Sequence, residues 1–284
     1  MKILVTGGSG MLGKALIWEL SRKHQVSYTI HQTPFEFNNS KGINCDLTGA
    51  DLTLPHFDAV VHAAALTDVD YCQSNPEEAY KINVTATRNL VKACPGAYFV
   101  YISTDFVFDG QKGFYRETDP ANPLSEYGRT KYLGEKEIPP SGCVLRTSIY
   151  GLMGNGGKPT FIEKALEKLK SGQELYGFDD QWFSPISTYN LVQLVDEIIE
   201  KRPAGVLHLG GAERISKYQF MQQLARSFGY PESLVRANSF LSHKFAAPRP
   251  RDVSIDITKA KTILESNFYS LTESFQDIKT KYKN

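Results

Sequence analysis

"VTGGSGMLG", residues 5–13, is the stretch that decides the fold. It follows a short run of β-forming residues, Lys2–Thr6, and it opens an amphipathic stretch, Met11–Ser21. Gly7, Gly10 and Gly13 have the spacing G-x-x-G-x-x-G, which permits a tight turn, close backbone approach to a pyrophosphate, and close packing of the helix on the strand. A glycine-rich turn without a ligand would show the same letters, but the position between a strand and a helix favours a dinucleotide-binding loop.

Short β-forming runs alternate with longer amphipathic stretches along the rest of the chain. This alternation predicts an α/β fold of the Rossmann type, a doubly wound parallel sheet with helices on both faces, and a smaller C-terminal substrate lobe. The predicted strands are Lys2–Thr6, Gln25–Ile30, Asp58–His62, Ala97–Ser103, Cys143–Arg146 and Val206–Leu209. The predicted helices are Met11–Ser21, Pro76–Ala93, Ser125–Ile138, Thr160–Ser171, Thr188–Glu200, Ser216–Phe228 and Leu271–Tyr282. We expect a dinucleotide-binding domain over residues 1–150 and a mostly helical, mainly substrate-binding lobe over residues 151–284, with some of its segments returning to the main sheet.

The end of the second predicted strand bears on the choice of cofactor. An acid after Ile30 would bind the ribose 2′-hydroxyl of NAD, but His31 follows and no acid occurs before Glu36. This absence permits the 2′-phosphate of NADP, although no arginine is present to bind it. We therefore expect NADP(H) to be preferred and NAD(H) to be accepted. Asp46 and Leu47 follow the expected third strand, where they would either contact the adenine or form a turn.

A tyrosine and a lysine four residues apart, Tyr127 and Lys131, lie in "YGRTK". On a helix these two residues share one face. The lysine ammonium, together with the positive charge of an oxidised nicotinamide, would stabilise the tyrosine phenolate and lower the tyrosine pKa from its usual value of about 10. Such a tyrosine can give a proton to a carbonyl oxygen, which a hydroxyl of Ser103 or Thr104 at the end of a strand would hold. An exposed helical pair is the alternative, but the glycine loop and the strand-end hydroxyls favour a catalytic site.

Composition and charge exclude several classes of protein. The chain has 284 residues, 41% of them hydrophobic and 22% charged, with a net charge of +1, so no charge imbalance points to nucleic acid or to an anionic membrane surface. We see no apolar run long enough for a signal peptide or a membrane span. The histidines show no metal-binding spacing. The scattered cysteines are typical of reduced thiols in a cytoplasmic protein: Cys45, Cys72, Cys94 and Cys143.

The motifs together resemble the dTDP-4-dehydrorhamnose reductase family, within the extended short-chain dehydrogenases/reductases. The matching pieces span nearly the whole chain in family order: "TGGSGMLG", "HAAALTDVDYCQSNPEEAYKINV", "YISTDFVFDG", "Y-x-E-x-D-x-x-x-P-L-x-x-YG-x-TK-x-x-GE", "LRTS", "DDQWFSP" and "RPRDVSIDITK". The resemblance implies NAD(P)H-dependent reduction of a 4-keto nucleotide-sugar, with dTDP-4-dehydro-β-L-rhamnose giving dTDP-L-rhamnose as the best specific expectation.

The same resemblance implies which residues form the site. The family's catalytic trio falls on Thr104, Tyr127 and Lys131, and Asp105 falls on a position that contacts the substrate. With the glycine loop and the strand ends considered above, the expected cofactor-binding residues are Gly7, Gly10, Met11, Leu12, Gly13, His31, Asp46, Leu47, Ala63, Ala64, Ala65, Tyr127 and Lys131. The expected partner is a nucleotide-sugar, and a homodimer is left open.

Two departures from the family pattern leave other functions open. Ile149 stands where the family has a tryptophan near the substrate sugar, and His62 stands where it has an asparagine. Loss of the tryptophan bears on the identity of the sugar. It also makes the chain similar to the regulatory β subunit of methionine adenosyltransferase, a relative without reductase activity. A nucleotide-sugar epimerase or dehydratase, which would keep NAD bound, is the other alternative.

Several charged and aromatic residues have two interpretations each. Arg146 would contact a substrate phosphate or form a structural ion pair, and Lys158, Arg249 and Arg251 would bind phosphate or be solvated loop charges. Trp182 and Phe183 would stack on a base or sugar, or fill the seam between the lobes. We expect His62 to pack at a strand end.

Overall fold

A computed structural model describes residues 1–31, 35–37, 40–154 and 157–282, and the side chains of residues up to 280 among these. The strands are β1 (Lys2–Thr6), β2 (Gln25–Ile30), β3 (Lys41–Asn44), β4 (Ala59–His62), β5 (Tyr98–Ile102), β6 (Cys143–Tyr150), β7 (Leu175–Phe178), β8 (Trp182–Phe183), β9 (Pro185–Ser187), β10 (Gly205–Leu209), β11 (Ile215–Ser216) and β12 (Val235–Asn238). The helices are α1 (Met11–Leu20), α2 (Val69–Ser74), α3 (Pro76–Tyr80), α4 (Ala86–Ala93), α5 (Glu126–Glu135), α6 (Phe161–Lys170), α7 (Thr188–Lys201), α8 (Lys217–Phe228), α9 (Thr258–Ile263) and α10 (Leu271–Tyr282).

The main sheet has eight parallel strands. Their order is β10-β6-β5-β4-β1-β2-β3, and β9 pairs with the end of β6. The order 3-2-1-4-5-6 within it is that of dinucleotide-binding folds, in which ligands bind where the strand order reverses, at the carboxyl ends of the strands. The predicted Rossmann-type fold is therefore confirmed, and the glycine loop lies at this switch point.

Alternation along the strands builds two apolar layers. In β1, Ile3 and Val5 pack on one face with the inner sides of α1 and α7, whereas Leu4 packs on the other face with α4. Because successive side chains of a strand point to opposite faces, a strand covered by helices on both sides must be apolar at every position. The four residues of β4 are accordingly all buried.

The helix predicted over Pro76–Ala93 is present but not regular. Its middle, Lys81–Thr85, is a π-helical turn between α3 and α4. Such wide turns are rare and occur mostly at functional sites, because they displace the side chains that follow. The turn carries Asn83, whose side chain reaches Thr130 of α5.

The second lobe contains more β-structure than the mostly helical lobe that the sequence predicts. It packs α6, α8 and α10 around Phe220 and Phe275, and it adds two small sheets, β7–β12 and β8–β11. Two segments beyond residue 150, β9 and β10, lie in the main sheet against β6. The division at residue 150 into two domains stays a prediction.

Membrane spans, metal ligands and thiols can be examined among the described residues. No helix of the described residues is both long and apolar enough to cross a membrane. The four cysteines are free thiols. The structure does bring His24, Asp196 and Glu200 together, with ligand atoms within 4.8 Å of one another. The sequence spacing of histidines did not reveal this group, because 172 positions separate His24 from Asp196. The carboxylate of Asp196 already forms an ion pair with the ammonium of Lys23, at 2.5 Å.

Candidate active site

A cleft of about 540 Å³ opens at the carboxyl ends of β1, β4, β5 and β6. Its far wall is the segment that leads from β6 into the second lobe, including Lys158 and Phe161. Among the predicted site residues, those that line the cleft are Gly7, Gly10, Met11, Leu12, Gly13, Ala63, Ala65, Thr104, Asp105, Tyr127, Lys131 and Ile149. Residues far apart in sequence are thus brought to one place, with the glycine loop and the Tyr-Lys pair in the same cleft.

The glycine loop is held in a form that other residues could not adopt. Gly7 has φ +71°, and a Cβ atom there would approach the backbone of Ala64 to 3.0 Å. A Cβ atom on Gly13 would collide with the carbonyl oxygen of Gly7. Both positions therefore require glycine, because the first has left-handed backbone and the second brings helix and loop into contact.

Helix α1 differs from the other long helices in having no side-chain cap. Gly10 is its N-cap residue and makes no side-chain hydrogen bond, whereas α5, α6, α7 and α8 are each capped by a serine or threonine hydroxyl. The first N–H groups of a helix have no partner within it and carry a partial positive charge. The open N-terminus of α1, facing the cleft, therefore suits a phosphate group.

Four predicted cofactor-binding residues do not line the cleft. Leu47 is buried in the apolar layer beneath the sheet. Asp46 accepts hydrogen bonds from the Thr48 N–H and hydroxyl, at 2.9 and 2.8 Å. It therefore forms a turn, the second of the two roles considered for it, and these bonds lower the pKa of its carboxyl. The Ala64 N–H donates to Thr6 Oγ1. His31 is exposed at the end of β2, and its charge also acts on Asp46.

Helix α5 presents the Tyr-Lys pair to the cleft. The Ser125 hydroxyl caps the helix by accepting from the Gly128 N–H, and the ring of Tyr127 lies edge-on to Phe106, 5.9 Å between centroids. Burial raises the pKa of the Tyr127 phenol, and the Thr104 hydroxyl opposes this through a hydrogen bond. The lowering of the tyrosine pKa by Lys131 and an oxidised nicotinamide stays a prediction; in the protein without cofactor, burial is the dominant effect on the Tyr127 pKa.

The surroundings of Lys131 affect the pKa of its own ammonium group. Its side chain is buried, with Nζ 4.2 Å from the centroid of the Tyr101 ring. Burial lowers the pKa of Lys131 to about 7, while Glu135 opposes that shift. Burial thus disfavours the charged forms of both Tyr127 and Lys131 in the protein alone.

The two candidate hydroxyls at the end of β5 have different roles. The Ser103 hydroxyl donates to Glu135 Oε1 at 2.6 Å, so its proton is committed. The Thr104 hydroxyl donates to Asp105 Oδ1 at the longer distance of 3.2 Å and also lies against Tyr127. Thr104 is thus the hydroxyl that can turn to a carbonyl oxygen next to Tyr127.

A directed network of hydrogen bonds supports the site from behind. Thr6 Oγ1 accepts from the N–H groups of Ala63 and Ala64, so its own proton goes to His62 Nδ1, at 2.7 Å. The Thr87 hydroxyl donates to the Asn83 carbonyl, so it accepts from His62 Nε2, at 3.0 Å. These bonds fix one neutral tautomer of His62, and burial lowers its pKa to about 3.

Asn83 joins this network to α5, and sequence reasoning missed it. Its side chain binds the backbone of Leu66 through both its oxygen and its nitrogen, and its amide also donates to Thr130 Oγ1 at 3.0 Å. Thr130 lies on α5 between Tyr127 and Lys131. The signal that could have found Asn83 is a polar residue at a buried helical position.

Arg146 has the structural role. It lies within β6 and forms a buried, two-pronged ion pair with Glu135 of α5, at 3.0 and 2.8 Å. Because Glu135 also binds Ser103, the ion pair ties α5 to two neighbouring strands. The pair sits directly behind Lys131 and not in the cleft.

The other cations and aromatic residues are distributed over the second lobe. Lys158 lines the cleft, Arg249 pairs with Asp70, and Arg251 donates to the Asp180 carbonyl. The Trp182 ring lies 4.0 Å from the Arg214 guanidinium, and Phe183 is buried in the second core. Neither aromatic residue lines the cleft.

Fold and site together define a short-chain dehydrogenase/reductase: a Rossmann sheet with a glycine loop, and a strand-end Thr104 beside the Tyr127–Lys131 pair. A family model described as "RmlD substrate binding domain" matches residues 1–283. The chain belongs to this family, that of the dTDP-4-dehydrorhamnose reductases, as the resemblance implied.

Individual relatives are similar over nearly their whole length. The probable low-salt glycan biosynthesis reductase Agl14 of Haloferax volcanii is 29% identical, over 98% of this chain and 99% of its own. The methionine adenosyltransferase 2 subunit beta of Pongo abelii is 30% identical, over 92% and 82%. The crystal structure of a hypothetical dTDP-4-dehydrorhamnose reductase from Sulfolobus tokodaii is 34% identical over 96% and 99%, with a TM-score of 0.83. Chains of the same fold at 23 to 24% identity have been crystallised with NADP or with NAD.

Proposed function

We propose that this protein is an NAD(P)H-dependent reductase that converts a 4-keto nucleotide-sugar into the corresponding alcohol. The observation that carries the proposal is the grouping of Thr104, Tyr127 and Lys131 in the cleft that also contains the glycine loop. The best specific substrate is dTDP-4-dehydro-β-L-rhamnose, with dTDP-L-rhamnose as the product. A cytoplasmic location and a homodimer stay predictions.

The cofactor is a nicotinamide dinucleotide, and the residues present fit it. The open N-terminus of α1 and the close contact of Gly7 with the Ala64 backbone leave room for a pyrophosphate over the loop. A bound reduced nicotinamide supplies the hydride for the carbonyl carbon.

The residues of the chain position the substrate and handle the proton. Thr104 Oγ1 orients the carbonyl oxygen, and the Tyr127 phenol gives that oxygen its proton. A phenol whose pKa is raised by burial keeps its proton at neutral pH, so Tyr127 is in the form needed to act as the acid in reduction. Lys131, behind it, stabilises the phenolate that remains.

NADPH is expected to bind at least as tightly as NADH. His31 is the described residue that follows β2, and the first acid after it, Glu36, is exposed. With no acid at the strand end, a 2′-phosphate meets no repulsion there. Calorimetric titration with both cofactors tests this. A tenfold preference for NADH would contradict the prediction, and its loss in Glu36→Gln would identify the acid responsible.

A coupled assay tests the reaction itself. The 4-keto sugar is generated in place from its precursor, NADPH is added, and cofactor absorbance is followed together with the sugar product. A panel of dTDP-, UDP- and GDP-linked 4-keto sugars tests the nucleotide and the sugar. If the pure protein binds the cofactor but reduces no member of the panel, the reductase assignment is wrong.

A second candidate function rests on the methionine adenosyltransferase β subunit, which is 30% identical. If this chain were a regulatory subunit of that kind, it would bind the cofactor without turnover and associate with a catalytic partner. Co-elution with a methionine adenosyltransferase in size-exclusion chromatography tests this reading. Tightly retained NAD and interconversion of sugars without net oxidation would instead indicate an epimerase.

A further inference from the structure

The side chain of Ser103 joins the end of β5 to helix α5. Ser103 lines the cleft and is 4% exposed, and its hydroxyl donates to Glu135 Oε1 at 2.6 Å. This length falls in the range of about 2.5–2.7 Å that is typical of a hydroxyl bonded to a charged carboxylate, which is among the strong hydrogen bonds of proteins. The two elements that the bond joins are those that carry Thr104 and Tyr127.

The bond closes a ring of contacts. The Ser103 N–H donates to the Leu145 carbonyl of β6 at 2.7 Å. Glu135 accepts from Arg146, the residue that follows Leu145, at 3.0 and 2.8 Å. All four residues are buried. Displacement of Ser103 would therefore break a hydrogen bond that water is not present to replace, and such a ring holds its members firmly in place.

The ring determines where the reacting groups lie relative to each other. Thr104 follows Ser103 directly in the chain, so the backbone of Ser103 sets the position of the Thr104 hydroxyl. Tyr127, Lys131 and Glu135 follow one another at intervals of four residues along α5, and residues four apart are neighbours on a helix. A shift of Glu135 away from Ser103 would therefore move the Tyr127 phenol away from the Thr104 hydroxyl.

Two other contacts between the end of β5 and α5 are weaker. The Tyr101 hydroxyl donates to the Lys131 carbonyl at 3.4 Å, which is long for a hydrogen bond. The rings of Phe106 and Tyr127 meet edge-on, with 5.9 Å between their centroids. Neither contact restrains direction as strongly as the charge-assisted bond of Ser103 does.

We propose that Ser103 is a positioning residue, which holds the Thr104 hydroxyl and the Tyr127 phenol at the separation that proton transfer to a substrate carbonyl requires. The inference rests on the proposed function. In this role Ser103 does not touch the substrate and acts through Glu135 and through its own backbone. Misplacement of a reacting group by about 1 Å can cost about 10²-fold in rate. Loss of the Ser103 hydroxyl should therefore slow the chemical step without weakening the binding of ligands.

Two substitutions of similar shape test the role of the hydroxyl. Ser103→Thr keeps the hydroxyl and Ser103→Val lacks it, so each variant is the control for the other. In the coupled assay, we expect kcat of Ser103→Val to lie about tenfold or more below that of Ser103→Thr. The KM of the 4-keto sugar and the Kd of NADPH should be the same in both variants. Ser103→Ala, which adds no atoms, is a further variant that should fold and should show the same loss relative to the parent.

Calorimetry separates a displaced hydroxyl from a damaged fold. The stoichiometry of NADPH binding counts the folded sites in each variant, so kcat can be expressed per site. Equal kcat per site in Ser103→Thr and Ser103→Val would overturn the inference. A loss in Ser103→Val that lies in KM or in the Kd of NADPH, with kcat per site unchanged, would also overturn it, because it would show a ligand contact and not positioning.

Crystal structures of the two variants test the geometry without turnover. We expect the distance between Thr104 Oγ1 and the Tyr127 phenol oxygen to change by about 0.5 Å or more in Ser103→Val and to stay as in the parent in Ser103→Thr. The same distance in both variants would overturn the inference whatever the kinetics show. If the displacement occurs but the parent reduces no 4-keto nucleotide-sugar, the reductase assignment is wrong and the restraint of Thr104 by Ser103 stands. If the parent is active and kcat does not depend on the hydroxyl, the reductase assignment stands and the positioning role is wrong.

Discussion

The two sides of α5 differ in how their polar atoms are paired. Behind α5, His62 donates to Thr87, Thr87 donates to the Asn83 carbonyl, and the Asn83 amide donates to Thr130. Arg146 and Glu135 form a two-pronged ion pair there, in which Arg146 Nη1 has no partner among the described residues. In front of it, Asp105 leaves one oxygen without a partner.

The difference shows which side waits for a ligand. The His62–Thr87–Asn83 network is paired in the protein alone and holds α5 in place before any ligand arrives, which avoids reorganisation on binding. In front, the unpaired oxygens belong to Asp105 and Thr147, which line the cleft. The comparison predicts that substitutions in front of α5 will reduce activity without reducing stability. Substitutions behind α5 are predicted to reduce stability before they reduce activity.

Tyr127→Phe should have the largest effect. The phenylalanine keeps the packing on Phe106 but cannot give a proton, so turnover should fall by about 10²–10⁴-fold while cofactor binding and the melting temperature remain near those of the parent. Steady-state kinetics with the coupled assay measures this, and Tyr132→Phe on the same helix is the control. A Tyr127→Phe variant with nearly full turnover would remove the residue from the mechanism.

Arg146→Met should have the next largest effect, on the free energy of unfolding. It leaves the buried Glu135 carboxylate uncompensated, which costs about 3–5 kcal/mol. Denaturant unfolding measures the loss. The double variant Arg146→Met/Glu135→Leu should recover most of it. Arg88→Met, which breaks a partly exposed pair with Glu137, should cost about 1 kcal/mol or less. Equal losses for Arg88→Met and Arg146→Met would contradict the contrast between the two sides.

His62→Asn should have the smallest of the three effects at neutral pH, and its distinguishing effect lies in the pH dependence of stability. The His62 pKa is about 3 in the folded protein and near 6.5 when unfolded, so the unfolded chain binds more protons between these values. Stability from this group is therefore present above pH 6.5 and is lost as the pH falls towards 3. Unfolding free energies measured across that range should decline less steeply in His62→Asn than in the parent. His56→Asn, at an exposed position, should leave the slope unchanged, and a parallel decline in all three proteins would refute the assignment.

Much of the fold follows from local patterns in the chain. Lys2–Thr6, Gln25–Ile30 and Leu271–Tyr282 agree with the prediction at both ends. The strand predicted to end at Arg146 continues to Tyr150, because pairing with β9 extends it and no local pattern reports that partner. The two- to four-residue strands of the second lobe are too short to show a period. The five-residue π-helical turn is likewise too short to show a period of its own within Pro76–Ala93.

In the candidate site, the residues of local motifs could be predicted from the sequence, but contacts between residues far apart in the chain could not. The glycine spacing and the Tyr-x-x-x-Lys spacing are local, and the structure places both in one cleft. Glu135, by contrast, meets Ser103 across 32 positions, and no local pattern indicates that contact. The effect of burial on the Tyr127 and Lys131 pKa values could not be predicted either, because desolvation depends on the packed surroundings.

The position of β6 has a consequence for how the protein is made. This strand pairs with β5 on one side and with β10 on the other, and β9 pairs with its end. A nascent chain that has emerged only to residue 150 already holds the glycine loop and Tyr127, yet one edge of β6 is still open. The edge closes when residues 205–209 arrive, after the first part of the second lobe. Chains that stall on the ribosome before this point would expose an unpaired strand edge, the kind of surface on which chaperones act and through which nascent chains aggregate.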